Sequence, residues 1–165
     1  MNILILIIMA TVMKVQLTVS SPAFQSGGMI PAKNTCDGAN MNPPLKISGI
    51  PSNAKSLAVI VDDPDAPKGT FVHWVAWNIK PMEMISENSS PGTQGKNGSG
   101  KKGYTGPCPP SGTHHYHFKV YALDAMLDLK EGADKMALES SLKNHVVGYG
   151  ELIGTYSKTQ QMENR

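Results

Sequence analysis

The sequence predicts an all-β-dominated domain, an antiparallel β-sandwich with one α-helix close to its end. Strand patterns come first along the chain and the single helical pattern comes late, which is not the alternation of strands and helices seen in α/β proteins. The chain has 16 Gly and 12 Pro among 165 residues, and this favours many turns over a helical bundle. That length is typical of one domain with a core that needs no metal or disulfide.

The first twelve residues form an apolar extension that we separate from the domain at residues 13–165. The run is too short to span a bilayer. It resembles the apolar core of a signal peptide, although no basic residue precedes it. A signal, an anchor and an extended gene model stay open as explanations. A cytoplasmic location is favoured, with secretion or a periplasmic location as the alternative if the run belongs to a signal.

Residues 14–19 alternate polar and apolar side chains, which predicts a half-buried strand with Val15, Leu17 and Val19 on its inner face. Residues 20–44 are rich in turn formers and are expected to lie on the surface. The continuous apolar run 57–61 predicts a central strand that is buried on both faces. It ends at the sequence DDPDAP, whose prolines and aspartates prevent further strand pairing.

Residues 71–79 and 115–123 predict two more strands, because aromatic and β-branched side chains dominate both. The long loop between them is expected to be disordered over 87–102. It is expected to be stiff over 104–112, where several prolines fix φ.

The last part of the chain predicts one helix and a short final element. Residues 133–147 carry a rough apolar stripe at helical spacing, and Gly148 is placed to end the helix. Residues 150–157 then predict a short strand or turn.

Composition excludes several classes of function. The net charge is +2, and no basic block or repeated aromatic platform is present, so we expect no nucleic-acid partner. Cys36 and Cys108 do not form a CxxC pair, which argues against thiol exchange and against a zinc knuckle. Whether the two cysteines are bonded to each other stays open. The pair His115 and His117 lacks a third ligand at recognisable spacing, so we predict no metal site.

Strand periodicity brings several polar groups to one rim of the predicted core. Phe71, His73, Val75, Trp77 and Ile79 are predicted to share one face of their strand. On the next strand Tyr116 begins an apolar face that His114 precedes, while His115, His117 and Lys119 occupy the opposite, solvated face. If the apolar faces point inward, His73, His114 and Tyr116 meet, and the DDPDAP turn can bring Asp63 or Asp65 to the same place.

Such a cluster has a chemical use. A carboxylate favours the protonated form of a neighbouring histidine. Two histidines and a tyrosine could then hold a phosphate or carboxylate through charge-assisted hydrogen bonds, and the stiff sequence GPCPPSG could wall the cavity and supply backbone N–H donors. The alternative is structural: DDPDAP is also a good Asx-capped turn, and a histidine on an apolar strand face is often a hydrogen-bonded core residue.

Four ordered segments resemble the phosphatidylethanolamine-binding protein family, in its bacterial and archaeal Raf-kinase-inhibitor-like branch. The resemblance covers nearly the whole chain from Lys14. Its segments are SSPAF with NTCDGANMNPPL (20–45), VDDPDAP with FVHWVAWNI (61–79), TQGKNGSGKKGYTGPCPPSGTHHYHFKVYALD (93–124) and LDLKEGADKMALESSLKNHVVGYGELIGTYSK (127–158).

The resemblance implies a β-sandwich with a Greek-key core and one or two peripheral α-helices. It also implies a small cavity that binds phosphate-like anions. The family's pocket residues fall on Asp63, His73, His114 and Tyr116, and its wall falls on Pro67, Cys108, Pro109 and Pro110. The sequence NGSG (97–100) departs from the family's more usual Asn-Asp-Phe-Gly, which implies a looser loop beside the mouth.

The expected function is therefore binding of a small anion or phospholipid head group, without a cofactor, to modulate a partner such as a kinase or peptidase. A homodimer is compatible with this expectation. One alternative is a protease inhibitor that acts through a surface loop. The other is an enzyme that uses Asp63, His73 and His114 for acid–base chemistry, which we favour less because no nucleophile is visible in the sequence.

Overall fold

The computed structural model describes residues 14–158, so the predicted extension at 1–12 lies outside the described residues. These residues form nine strands and one α-helix. In chain order they are β1 (Val15–Gln16), β2 (Thr18–Ser20), β3 (Leu45–Ser48), β4 (Ser56–Asp63), β5 (Phe71–Ile79), β6 (Met84–Ile85), β7 (Thr93–Gln94), β8 (Thr113–Leu123), α1 (Lys135–Leu142) and β9 (Val146–Ser157). Within residues 14–158, no helix has the length and apolarity needed to cross a membrane.

The strands form two sheets that pack as the predicted sandwich. The larger sheet has the order β1-β9-β8-β4-β5-β7, and the smaller one has the order β2-β3-β6. All neighbouring strands are antiparallel except β1 and β9, which run parallel. The fold class predicted from the sequence is confirmed.

Two apolar cores cover the two faces of the larger sheet. One lies between the sheets and includes Ile47, Trp74 and Phe118, and the other lies under α1 and includes Trp77 and Leu138. All eight residues of β4 are buried, because this strand contributes side chains to both cores. The prediction of a central strand buried on both faces is confirmed.

The first predicted strand is divided in two at Leu17. Leu17 still donates its N–H to the carbonyl of Tyr149 on β9, but the next residues pair with β3 in the smaller sheet. The chain thus passes from one sheet to the other. Leu17 and Val19 are buried as predicted, whereas Val15 is 44% exposed and does not lie on an inner face.

The predicted helix 133–147 is wrong in extent, because α1 spans only Lys135–Leu142. Asp134 caps its first turn by accepting the N–H of Ala137 at 2.9 Å. After the helix, Asn144 takes the left-handed conformation with φ of 68°. The chain then enters β9, whose pairing with β8 outweighs the helical periodicity, and Gly148 lies within this strand instead of ending the helix.

Two predicted loop segments are ordered parts of the fold. Residues 20–44 were predicted to lie on the surface, and residues 87–102 were predicted to be disordered. Phe24 and Ile30, within residues 20–44, are buried in the inter-sheet core. Gly154 of β9 makes room for them, since a Cβ there would lie 2.6–2.7 Å from their side chains. Within residues 87–102, β7 pairs with β5, and Asn97 organises a tight turn.

Candidate functional site

A cavity of about 470 Å³ opens at one end of the larger sheet, where β4 ends and β5 and β8 begin. Its wall is formed by these strand ends and by three loops. The lining residues predicted from the sequence are Asp63, Pro67, His73, Cys108, Pro109, Pro110 and His114. Tyr116 was predicted with them but does not line the cavity.

Asp63 and His114 form a buried pair at the base of the cavity. His114 Nδ1 lies 2.7 Å from Asp63 Oδ2, and the two side chains are only 9% and 5% exposed. The other carboxylate oxygen of Asp63 accepts the N–H of Asp65 at 2.8 Å, which caps the DDPDAP turn. Asp63 therefore fills both roles that the sequence left open, the pocket carboxylate and the Asx cap.

Asp65 faces away from the cavity. Its Oδ2 accepts both the backbone N–H and the Nδ1 of His115, each at 2.8 Å, on the outer surface. The hydrogen bonds from His115 lower the pKa of the Asp65 carboxyl. His117 also lies on this face and pairs with Glu151, so the predicted outer face of β8 is confirmed.

His73 lies at a β-bulge in β5. Val61 pairs with Trp74 and Asp62 with Val72, which leaves His73 as the extra residue without a partner on β4. Bulges redirect side chains and often lie beside binding sites.

The bulge corrects the predicted faces of β5. A second register shift follows between the partners of Leu57 and Val59. As a result Trp74, Ala76 and Ile79 face the inter-sheet core, while Val75 and Trp77 face α1. The five alternate residues from Phe71 to Ile79 that were predicted to share one face therefore do not all do so.

The bulge frees the backbone of His73 to bind the loop opposite. Its carbonyl accepts the N–H of Thr105 at 2.9 Å, and its Nδ1 lies 2.7 Å from the Thr105 carbonyl oxygen. Burial lowers the pKa of His73, an effect that the Thr105 carbonyl and the charge of Asp63 oppose without overcoming. For His73, burial therefore outweighs the nearby carboxylate, which favours the protonated ring.

Tyr116 lies behind the two histidines. Its ring meets that of His73 edge-on with centroids 5.1 Å apart, and it stacks against that of His114 at 6.5 Å. Only 1% of the residue is exposed, and its hydroxyl has no hydrogen-bond partner among residues 14–158. Burial, with a further contribution from Asp63, raises the pKa of Tyr116. This tyrosine supports the imidazoles instead of forming the wall.

A sequence profile of the phosphatidylethanolamine-binding protein family matches residues 20–157. The chain belongs to this family.

Relatives and solved structures agree with this assignment. A UPF0098 protein of Pyrococcus horikoshii is 53% identical over 156 residues, which is 88% of this chain and 78% of that protein. The crystal structure of a phosphatidylethanolamine-binding protein homologue from Chlamydia trachomatis superposes with a TM-score of 0.82 at 41% identity, covering 88% of this chain and 98% of that one. The crystal structure of Escherichia coli YbcL, a new member of the mammalian phosphatidylethanolamine-binding protein family, superposes with a TM-score of 0.79 at 28% identity, covering 86% of this chain and 98% of that one.

In this member of the family, residues 104–110 form the proline-rich part of the cavity wall. This segment is anchored to residues 34–40. A disulfide joins Cys36 to Cys108, with Cα atoms 5.4 Å apart, which answers the question of pairing that the sequence left open. The hydroxyl of Tyr104 donates to the carbonyl of Asn34 at 2.8 Å. The N–H of Gly106 donates to Asn40 Oδ1 at 2.6 Å, so this N–H is not free for a ligand. The loop therefore offers one backbone N–H donor fewer than its sequence suggested.

The turn at residues 97–100, predicted as a looser loop beside the mouth, contributes Gly98 and Ser99 to the cavity wall. Asn97 Oδ1 accepts the N–H groups of Ser99 and Lys101, and the Gly98 N–H donates to the carbonyl of Val72 at 2.7 Å. A Cβ on Gly98 would lie 2.7 Å from the ring of Phe71. The turn is therefore closely packed, not loose, and its Asn-Gly pair was the signal that could have identified it.

The lining residues carry few ionisable groups. Among the described lining residues, the ionisable side chains are Asp63, Lys68, His73 and His114. Thr70, Ser99 and Thr105 add hydroxyl groups. Within residues 14–158, no group of three or more His, Cys, Asp or Glu side chains is arranged to hold a metal ion.

Proposed function

We propose that this chain is a binding protein for a small anionic ligand, such as phosphate or the phosphorylated head group of a phospholipid. The observation that carries the proposal is the buried pair of Asp63 and His114 beside His73 at the base of an open cavity. Buried polar groups that converge on a concave site are the usual mark of a ligand pocket.

The size and lining of the cavity support a small ligand. A cavity of about 470 Å³ is at the small end of ligand pockets, which suits a head group and not a whole lipid. The Lys68 ammonium and the hydroxyls of Thr70 and Ser99 can donate to anionic oxygens. The imidazoles of His73 and His114 supply two nitrogens that are held in place by their hydrogen bonds to the protein.

Binding is favoured over catalysis because no activated nucleophile accompanies the histidines. Among the described residues, neither imidazole is hydrogen-bonded to a hydroxyl or thiol. Cys108 is held in a disulfide. Nucleophilic catalysis needs such a pairing of nucleophile and base. We further propose that the cavity rim modulates a partner such as a kinase or peptidase.

Isothermal titration calorimetry with phosphate and phosphoethanolamine tests the proposal. We expect saturable binding to the wild-type protein and a loss of at least about tenfold in affinity for His114→Gln, since each 1.4 kcal/mol is tenfold. His115→Gln is the matched control, because His115 is adjacent in sequence but lies on the outer face. Equal affinities for the two variants would contradict the proposal, as would an absence of binding. The same samples analysed for ligand turnover would reveal an enzyme.

A further inference from the structure

The partners of the two imidazoles determine which ring nitrogen carries the proton. His73 Nδ1 faces the carbonyl oxygen of Thr105, and His114 Nδ1 faces a carboxylate oxygen of Asp63. A carbonyl and a carboxylate can only accept, so both Nδ1 atoms must be the donors. In the neutral ring the other nitrogen, Nε2, then has a lone pair and no proton.

Both Nε2 atoms are left to the ligand. Neither has a hydrogen-bond partner among residues 14–158, and both rings line the cavity. A neutral ring with this tautomer accepts a hydrogen bond at Nε2 and cannot donate one. An oxyanion oxygen placed against such a nitrogen would meet its lone pair, and the two acceptors would repel each other.

Of the charges around the two rings, that of Asp63 favours protonation, and for His73 burial outweighs it. On β4, Asp63 faces the imidazoles, while Asp62 is paired with Lys119 and Lys135. On β8, the ring of Tyr116 lies behind both imidazoles. The loop at 66–70 contributes Lys68, and among the described lining residues the loops at 98–99 and 105–110 contribute no titrating group, since Cys108 is in a disulfide.

We propose that the cavity selects oxyanions that carry a proton of their own, such as hydrogen phosphate or the monoanion of a phosphate monoester, over fully deprotonated oxyanions such as sulfate or a sulfonate. The ligand's O–H donates to the Nε2 of His73, and its other oxygens accept from the lysine and hydroxyl groups. An oxyanion without a proton must draw one from solvent onto an imidazole before it can bind equally well. This inference rests on the proposed function and names its ligand class.

Methylphosphonate and methanesulfonate are a matched pair of probes. They have nearly the same shape, and at about pH 5.5, below the second pKa of about 6 of a phosphate group, the phosphonate retains a proton that the sulfonate lacks. We expect methylphosphonate to bind at least about tenfold more tightly, since an unmade hydrogen bond to a buried group costs that much. Calorimetry in two buffers with different ionisation enthalpies should show uptake of a proton on binding of the sulfonate.

His73→Gln tests the mechanism, because a glutamine amide can donate without taking up a proton. In this variant we expect the preference for methylphosphonate to shrink and the proton uptake to fall. His115→Gln should keep the wild-type preference, since that side chain is 53% exposed on the other face of the sheet. If His73→Gln does not fold, the affinity ratio and the proton uptake of the wild-type protein still test the proposal.

Two outcomes separate this inference from the function on which it rests. Equal affinities for the two probes without proton uptake would overturn the selection of protonated ligands and leave anion binding intact. No binding of either probe, or of phosphate, to the folded protein would overturn the proposed function and this inference with it.

Discussion

His114 and Asp63 hold each other at the base of the cavity through a 2.7 Å hydrogen bond, with less than a tenth of either side chain exposed. The same carboxylate caps the turn that follows β4. The orientation of a cavity imidazole and the end of a central strand thus depend on one side chain.

Asp63→Asn should reverse the tautomer of His114. The asparagine amide can donate to Nδ1, which moves the ring proton to Nε2. We expect 15N NMR of the imidazole rings to show an Nδ1–H tautomer for His114 in the wild-type protein and an Nε2–H tautomer in this variant. Asp65→Asn is the control and should alter His115 only. An Nε2–H tautomer of His114 in the wild-type protein would contradict the geometry described here.

Asp63→Ala should destabilise the fold far more than Asp65→Ala. Loss of Asp63 leaves the buried Nδ1–H of His114 without an acceptor and removes the cap on the Asp65 N–H. We expect the free energy of unfolding to fall by about 2 kcal/mol, as measured by urea denaturation. Asp65 pairs with an exposed histidine, so its removal should cost less than about 1 kcal/mol. Equal losses for the two variants would show that burial of the Asp63 pair has no special energetic role.

The buried His73 should make the protein less stable in mild acid. Its pKa is lowered by burial below the ordinary value of 6.5, so between these two pKa values the unfolded chain binds more protons than the folded one. The contribution of neutral His73 to the free energy of unfolding is therefore fully present above about pH 6.5. It declines as the pH falls towards the pKa of His73 in the folded protein. Urea denaturation at several pH values should show a smaller decline for His73→Gln than for the wild-type protein. His115→Gln should keep the wild-type decline; the same decline in all three proteins would remove His73 as its source.

Reduction of the disulfide should loosen the cavity wall. Cys36 and Cys108 are 72 residues apart in sequence, and a cross-link over a loop of that size stabilises a protein by about 4 kcal/mol through the unfolded state. Cys108 also lines the cavity. We expect the double variant Cys36→Ser/Cys108→Ser to lose stability in urea and to bind phosphate more weakly. Unchanged affinity in the folded double variant would show that Tyr104 and Gly106 hold the wall without the disulfide.

Local patterns predicted the members of the site better than its geometry. The run 57–61 and the aromatic strands that contain His73 and Tyr116 were predictable because strand periodicity is a local property. The bulge at His73 was not, because it arises from pairing with Asp62 and Val61 on another strand. For the same reason the beginning of β9, at residues 146–147, was predicted as helix, although β8 pairs along the strand.

The walls of the cavity were only partly predictable. The prolines of residues 106–112 indicated a stiff segment, and the structure places Pro109 and Pro110 at the cavity. Its anchoring to Cys36 and Asn40 joins segments far apart in sequence and leaves no local signal. Burial likewise determined the lowered pKa of His73, and the sequence does not reveal how deeply a side chain is buried.

Titration with phosphate, followed by 15N NMR of the imidazole nitrogens, tests the central claim most directly. The protein has five histidines, of which His73 and His114 line the cavity, while His115, His117 and His145 pair with carboxylates outside it. We predict that phosphate shifts the Nε2 signals of His73 and His114 in a saturable manner and leaves the other three unchanged. Shifts confined to the outer histidines, or no saturable shift at any of the five, would contradict anion binding in this cavity.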